Sequence, residues 1–208
     1  MRRGLWICVA ILSLIMIAVA TRRILHLSAT AGDIGVGFAG HRLLTLAHIF
    51  PGLAFVILGP FQFVAGLRAR HPVLHRWTGR VFLIVALIIG VTALIMSPQM
   101  TIGGGLETAA TSVFGVLFLF ALGKGWAAIR ARRFAEHRRW MIRGYAIGLG
   151  VGTVRPIVGA FFATSRFTGL TPHDFFGAAF WLGFLISLAM GEAWIRTSAH
   201  AAQVDRRK

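Results

Sequence analysis

Six apolar runs, each about as long as a membrane-spanning helix, constrain this chain more than any other feature of its sequence. A helix needs about 20 residues to cross the hydrocarbon of a bilayer. The runs lie at about 4–20, 43–67, 77–97, 109–129, 140–164 and 175–195. Only 13% of the residues are charged, against about 25% in soluble domains. The sequence therefore predicts an all-α fold, a polytopic transmembrane bundle of about six helices that forms one integral membrane domain over residues 1–208.

The basic residues are divided unevenly between the two sides of these runs. With the N-terminus inside, 17 of the 22 Lys and Arg residues face the same side. Because cytoplasmic segments are enriched in Lys and Arg, we expect both termini in the cytoplasm, with residues 197–208 as a basic tail. The tryptophans expected at that interface are Trp6, Trp77, Trp126, Trp140 and Trp194. Together these signals predict a multi-pass protein of the bacterial cytoplasmic (inner) membrane.

The first run has two interpretations. Residues 1–23 read "MRRGLWICVAILSLIMIAVATRR", with a basic start, an apolar middle and "AVA" at 18–20. This is the pattern of a first transmembrane helix or signal-anchor, and also that of a cleaved signal peptide. Cleavage would leave five spans in the same orientation.

A basic, histidine-centred segment occurs twice between the runs. It reads "RARHPVLHRWTGR" over 68–80 and "RARRFAEHRRWMIR" over 130–143. His75 aligns with His137, and one inserted residue then brings Trp77 onto Trp140. Each copy follows an inward run and precedes an outward one. We therefore interpret spans two–three and four–five as a parallel duplication, related by an axis along the membrane normal.

Three interpretations of the repeated segment remain open. In the first, its Arg and Trp residues anchor the helix ends at anionic lipid headgroups. In the second, His75 and His137 are the axial ligands of the iron of a b-type haem. The arginines that would neutralise the haem propionates are Arg76, Arg80, Arg138 and Arg143. In the third, the segment binds a phosphate or a quinone headgroup.

Polar residues within the apolar runs predict a second candidate site, on the outer side. His41 and His48 are seven residues apart, and Arg155 lies inside the fifth run. Ionisable residues in a membrane are costly and usually face the bundle interior. We expect these three to form an outer cavity for a haem propionate, a quinone or another anionic ligand. Alternatively, Arg155 extends to the outer surface or pairs with an acidic residue on that side, Glu107 or Asp174.

The remaining features narrow the class of protein. The basic residues form short clusters instead of a face-wide patch, which excludes nucleic acid as a partner. No self-contained catalytic motif is present, so any activity would be at most membrane electron transfer. Three functions compete: a haem-binding or redox-associated protein, a non-catalytic assembly or interaction protein, and a small-molecule or lipid carrier. The partners expected are the bilayer, anionic headgroups, another membrane protein or a quinone.

Several motifs together resemble one family. His48 followed by "GPFQF", then "HRWTGR" and "HRRWMIR", is similar to the pattern of a bacterial family of predicted membrane proteins of unknown function (DUF2306-like). The resemblance covers residues 40–195 and implies a polytopic membrane protein with no established activity. A looser similarity links the chain to membrane cytochromes b and to small assembly factors of haem-copper oxidases. The fourth run has no histidine, unlike cytochromes with two histidine pairs.

Overall fold

The computed structural model describes the backbone of residues 2–25 and 40–205, and the side chains of 4–25 and 40–198. Within these ranges the chain is helical and contains no strand. The helices are α1 (Arg2–Leu25), α2 (Arg42–Phe63), α3 (Ala65–Arg70), α4 (Pro72–Met96), α5 (Gly104–Arg130), α6 (Phe134–Thr168) and α7 (Pro172–Asp205). All except the short α3 are long and apolar enough to cross a membrane. The predicted all-α class and its six spans are confirmed.

Successive spanning helices pack side by side and in opposite directions. The links at 64–71 and 131–133 therefore lie at one end of the bundle, here called the basic end, which also carries the start of α1 and the end of α7. The links at 97–103 and 169–171 lie at the opposite end, here called the distal end. Contact between Trp6 and Trp194, with ring centroids 5.6 Å apart, joins α1 to α7 at the basic end. Arg206, Arg207 and Lys208, which the orientation argument also uses, lie outside the described residues.

The helix bounds differ from the apolar runs most clearly in α2, α4 and α6. The run at 43–67 is interrupted at Val64, whose extended backbone (ψ 108°) separates α2 from α3. Helix α4 begins at Pro72, five residues before its run, because a proline at the first helical position needs no hydrogen-bond acceptor. Helix α6 has 35 residues, a length of about 52 Å at 1.5 Å per residue. It therefore extends beyond its apolar run at both ends.

Aromatic rings that pack against glycines form the centre of the bundle. The rings of Phe55 (α2) and Phe82 (α4) stack with centroids 4.7 Å apart, and Tyr145 (α6) packs beside them. A Cβ at Gly59 would overlap the Tyr145 ring, and one at Gly148 would lie 2.5 Å from Phe55 Cζ. Glycine is therefore required at both positions, because it allows a ring from one helix to lie against the backbone of the other.

Two hydrogen bonds between side chains also join neighbouring spans. Gln62 Nε2 donates to Thr78 Oγ1 over 2.8 Å, which links α2 to α4 near the basic end. The hydroxyls of Thr153 and Ser187 are 2.7 Å apart and link α6 to α7. Such bonds satisfy polar groups that would otherwise be buried without partners.

Candidate functional sites

The two copies of the repeated segment place their histidines at the same helical register. His75 is the fourth residue of α4, and His137 is the fourth residue of α6. The backbone N–H of each donates to the carbonyl of the residue before its helix, His71 at 3.1 Å and Arg133 at 2.9 Å. The two imidazoles are close enough to interact electrostatically. The structure thus brings together the pair that the sequence alignment selects.

The Trp and Arg residues of the two copies also correspond. The Arg80 guanidinium lies over the Trp77 ring at 4.6 Å from its centroid, and that of Arg143 lies over Trp140 at 4.8 Å. In both cases the arginine follows the tryptophan by three residues, so the two side chains share a helix face. Cation–π contacts of this kind hold the guanidinium at a defined depth beside the indole.

In the second copy, two arginines have partners on another spanning helix, α7. Arg143 binds Glu192 of α7 through two hydrogen bonds, Nε to Oε1 at 2.5 Å and Nη2 to Oε2 at 3.1 Å. Arg138 Nη2 donates to Ser198 Oγ at 3.2 Å. Sequence reasoning missed Glu192, although an acidic residue within an apolar run is itself a signal of a specific partner.

The residues at the basic end do not fit the haem hypothesis. Two of the four predicted propionate partners, Arg138 and Arg143, are already bound to protein groups. His137 Nδ1 is 2.8 Å from the carbonyl of Gly125, which leaves its second nitrogen available. However, neither His137 nor His75 lines the cavity of about 260 Å³ at the distal end or the small apolar cavity beside Tyr145 and Trp194. The haem hypothesis therefore finds no support in this structure.

A cavity of about 260 Å³ lies at the distal end, between α1, α2, α4, α5, α6 and α7. Most of its wall is apolar, and His48 and Arg155 both line it. This cavity is here called the distal cavity. Two of the three residues predicted to form the outer site, His48 and Arg155, line it. His41 is the exception: it is exposed, precedes the first residue of α2 and is not part of the wall. The helix starts only at Arg42, so His41 does not share the inward face of His48.

Arg155 carries a charge into this cavity without a close protein partner. Among the described residues, none forms a hydrogen bond or an ion pair with its guanidinium. Glu107, one of the two acids expected to pair with it, also lines the cavity but interacts with Arg155 only at longer range. The Glu107 carboxylate accepts hydrogen bonds from the backbone N–H groups of Ile102, at 2.8 Å, and Gly103, at 2.6 Å.

The other predicted acid, Asp174, is also engaged elsewhere. Its Oδ2 accepts from the backbone N–H of Thr171 at 2.8 Å and from the Thr171 hydroxyl at 2.6 Å, which fixes the start of α7. The predicted pairing of Arg155 with either acid is therefore wrong. Arg23 of α1 also lines the cavity and repels Arg155 electrostatically. The distal cavity thus contains two guanidinium groups.

His48 is held from the other side of the same cavity. Its Nδ1 is 2.9 Å from the hydroxyl oxygen of Thr92 on α4. The Thr92 hydroxyl is in turn 2.7 Å from the carbonyl of Ile88. No metal-binding group of three or more His, Cys, Asp or Glu occurs in the described ranges. The site therefore combines two guanidinium groups, a carboxylate, an imidazole and apolar walls.

Six apolar helices with a charged cavity at one end define a multi-pass membrane protein with an internal polar site. The chain belongs to the DUF2306 family of predicted membrane proteins, whose pattern it matches over residues 45–195. The match includes five of the six spans and leaves α1 outside. Comparison with curated proteins and with solved structures finds no match.

Proposed function

We propose that this protein binds an amphipathic molecule with an anionic head group in the distal cavity, as a membrane carrier or binding protein. One observation carries the proposal: Arg155 lines the cavity, and no described residue forms an ion pair with it. An arginine at the centre of a spanning helix costs at least about 2.5 kcal/mol on insertion scales. An anionic ligand would offset part of that cost by supplying the missing counter-charge.

The rest of the wall favours an amphipathic ligand over a simple ion. Phe55, Phe114, Phe118 and Phe184 contribute aromatic rings to the cavity. Apolar surface of this kind gains free energy by removal from water, at about 25 cal/mol per Å². A ligand with an apolar portion beside its anionic group would therefore use both parts of the cavity.

We further propose that the basic end faces the cytoplasm of a bacterium, which would place the distal cavity in the outer half of the inner membrane. The support is the excess of Lys and Arg at that end. In the first copy, Arg76, Trp77 and Arg80 are exposed. No acidic residue in the described ranges forms an ion pair with these arginines, and their charge suits anionic lipid headgroups.

The binding proposal is tested with dodecyl phosphate, a simple amphipathic anion, added to the protein in neutral maltoside micelles. Binding to the folded state alone raises the thermal unfolding midpoint. We expect saturable stabilisation of the wild type and none of Arg155→Gln. The matched control is Arg166→Gln, which removes the same charge from an exposed position on the same helix. Equal stabilisation of both variants, or none of the wild type, would refute the proposal.

A further inference from the structure

We infer that the head group of this ligand carries a hydroxyl donor next to its anionic oxygen, as in a phosphodiester of glycerol. The inference rests on the proposed function and narrows the ligand that the distal cavity takes. It follows from the hydrogen bonds that fix the His48 ring opposite the Arg155 guanidinium. Those bonds determine which His48 nitrogen carries the proton.

The Thr92 hydroxyl decides the tautomer of His48. Its oxygen lies 2.7 Å from the carbonyl of Ile88 and 3.1 Å from that of Ile89. The shorter of these contacts is a hydrogen bond in which the hydroxyl donates its single proton to the Ile88 carbonyl, which can only accept. Towards His48 Nδ1, 2.9 Å away, the Thr92 oxygen therefore acts as the acceptor. Nδ1 carries the proton, and Nε2 of the neutral ring keeps a lone pair.

That lone pair has no donor in the protein. Among the described residues, no group donates a hydrogen bond to His48 Nε2, although His48 lines the cavity. Arg155 presents donors only, because a guanidinium has no acceptor. A head group that meets both residues must therefore accept from Arg155 and donate to His48. A carboxylate or a sulfonate has hydrogen-bond acceptors but no donor. One of its oxygen lone pairs would therefore face the lone pair of His48 Nε2, and the two acceptors would repel each other.

Charge and size favour a phosphodiester with a neighbouring hydroxyl. Arg23, Arg155 and the Glu107 carboxylate give the cavity lining one net positive charge, which the single negative charge of a phosphodiester balances. Phosphate oxygens also suit the fork of arginine donors. The cavity volume, about 260 Å³, is near the lower limit of pockets that hold drug-sized ligands. It suits a head group and leaves long acyl chains to lie outside it. A phosphatidylglycerol-type lipid and a free glycerophosphodiester both have this chemistry.

The test compares two lipids with the same phosphodiester charge, one with hydroxyls in its head group and one without. Short-chain phosphatidylglycerol and phosphatidylmethanol with the same chains both carry a phosphodiester, but phosphatidylmethanol has no hydroxyl. We expect the wild type, in neutral micelles, to bind phosphatidylglycerol up to about tenfold more tightly, since a net hydrogen bond is worth about 0.5–1.5 kcal/mol. Glycerophosphoglycerol without chains serves as the third probe. Binding as tight as that of the lipid would identify a free phosphodiester as the source.

Two variants test whether His48 is the source of the preference for phosphatidylglycerol over phosphatidylmethanol. His48→Phe removes the lone pair and keeps a planar ring, so both lipids should bind it with the affinity of phosphatidylmethanol. His41→Phe makes the same change at an exposed position outside the cavity and should retain the preference. Equal affinity of the wild type for the two lipids would overturn the inference and leave the proposed function standing. Binding of none of the three probes would refute both, and this comparison requires no variant to fold.

Discussion

The two copies of the basic segment have nearly the same sequence and different surroundings. In both, a histidine is the fourth residue of a spanning helix that starts at the basic end, and an arginine lies over a tryptophan. In the first copy Arg80 is exposed, whereas in the second Arg143 binds Glu192. The helix packing explains the difference: α4 packs against α2, α3 and α5, while α6 packs against α1, α5 and α7. A repeated motif thus keeps its local conformation and differs in its partner.

The largest expected effect concerns the side of the membrane that both copies face. In a Cys8→Ser background, we introduce single cysteines at Arg70 in the first copy, at Arg132 in the second and at Arg166 at the distal end. A membrane-impermeant maleimide applied to intact cells should label only the cysteine at 166, because the proposed orientation places the basic end in the cytoplasm. Permeabilised cells, in which all three should react, are the control. Labelling of one copy but not the other in intact cells would contradict the parallel duplication, which places both copies on the same side of the membrane.

The second prediction concerns the stability that each arginine contributes. Arg143→Gln leaves the Glu192 carboxylate, whose side chain is 33% exposed, without its charged partner. We expect the free energy of unfolding to fall by about 2 kcal/mol, since hydrogen bonds to charged groups are worth about 1.5–3 kcal/mol. The matched change Arg80→Gln should cost less than about 0.5 kcal/mol, as an exposed substitution does. Thermal unfolding in detergent measures both, and similar midpoints would show that the ion pair contributes no stability.

The third and smallest expected effect concerns bound lipid. Here the substitution of Arg80 should matter and that of Arg143 should not, the reverse of their effects on stability. Arg80→Gln should reduce the anionic lipid retained on the protein, because a basic residue near a charged membrane surface contributes about 1 kcal/mol. Arg143→Gln should not, since Glu192 already neutralises that guanidinium. Native mass spectrometry of both variants in an Arg155→Gln background separates this lipid from any in the distal cavity. Equal loss in the two variants would contradict the assignment of lipid binding to the first copy.

The sequence predicted the spans well and their side-chain partners poorly. Apolar length alone determines which segments cross the bilayer, so all six spans were found. The break at Val64 was not, since an apolar residue gives no sign of an extended backbone. The pairing of Arg143 with Glu192 joins residues 49 positions apart, and it depends on which helices are neighbours. Periodicity along one helix does not contain that information.

The residues of the candidate site could also be predicted only in part from the sequence. His48 and Arg155 were selected because ionisable residues are rare in spans, and they do line one cavity. His41 was selected by spacing along a helix that in fact begins after it. Pairing with Glu107 was one of the alternatives for Arg155, but backbone N–H groups of the preceding link hold the Glu107 carboxylate. Such local backbone geometry becomes visible only in three dimensions.

The aromatic rings packed against glycines determine whether a ligand head group could pass through the bundle. Phe55 and Phe118 line the distal cavity, and Phe82 and Tyr145, each 1% exposed, pack against Phe55. With Gly59 and Gly148 fitted against these rings, the close packing at the centre of the bundle leaves no gap for a head group. In this conformation the packed rings separate the distal cavity from the basic end, so a carrier would have to move them before a head group could cross the bundle.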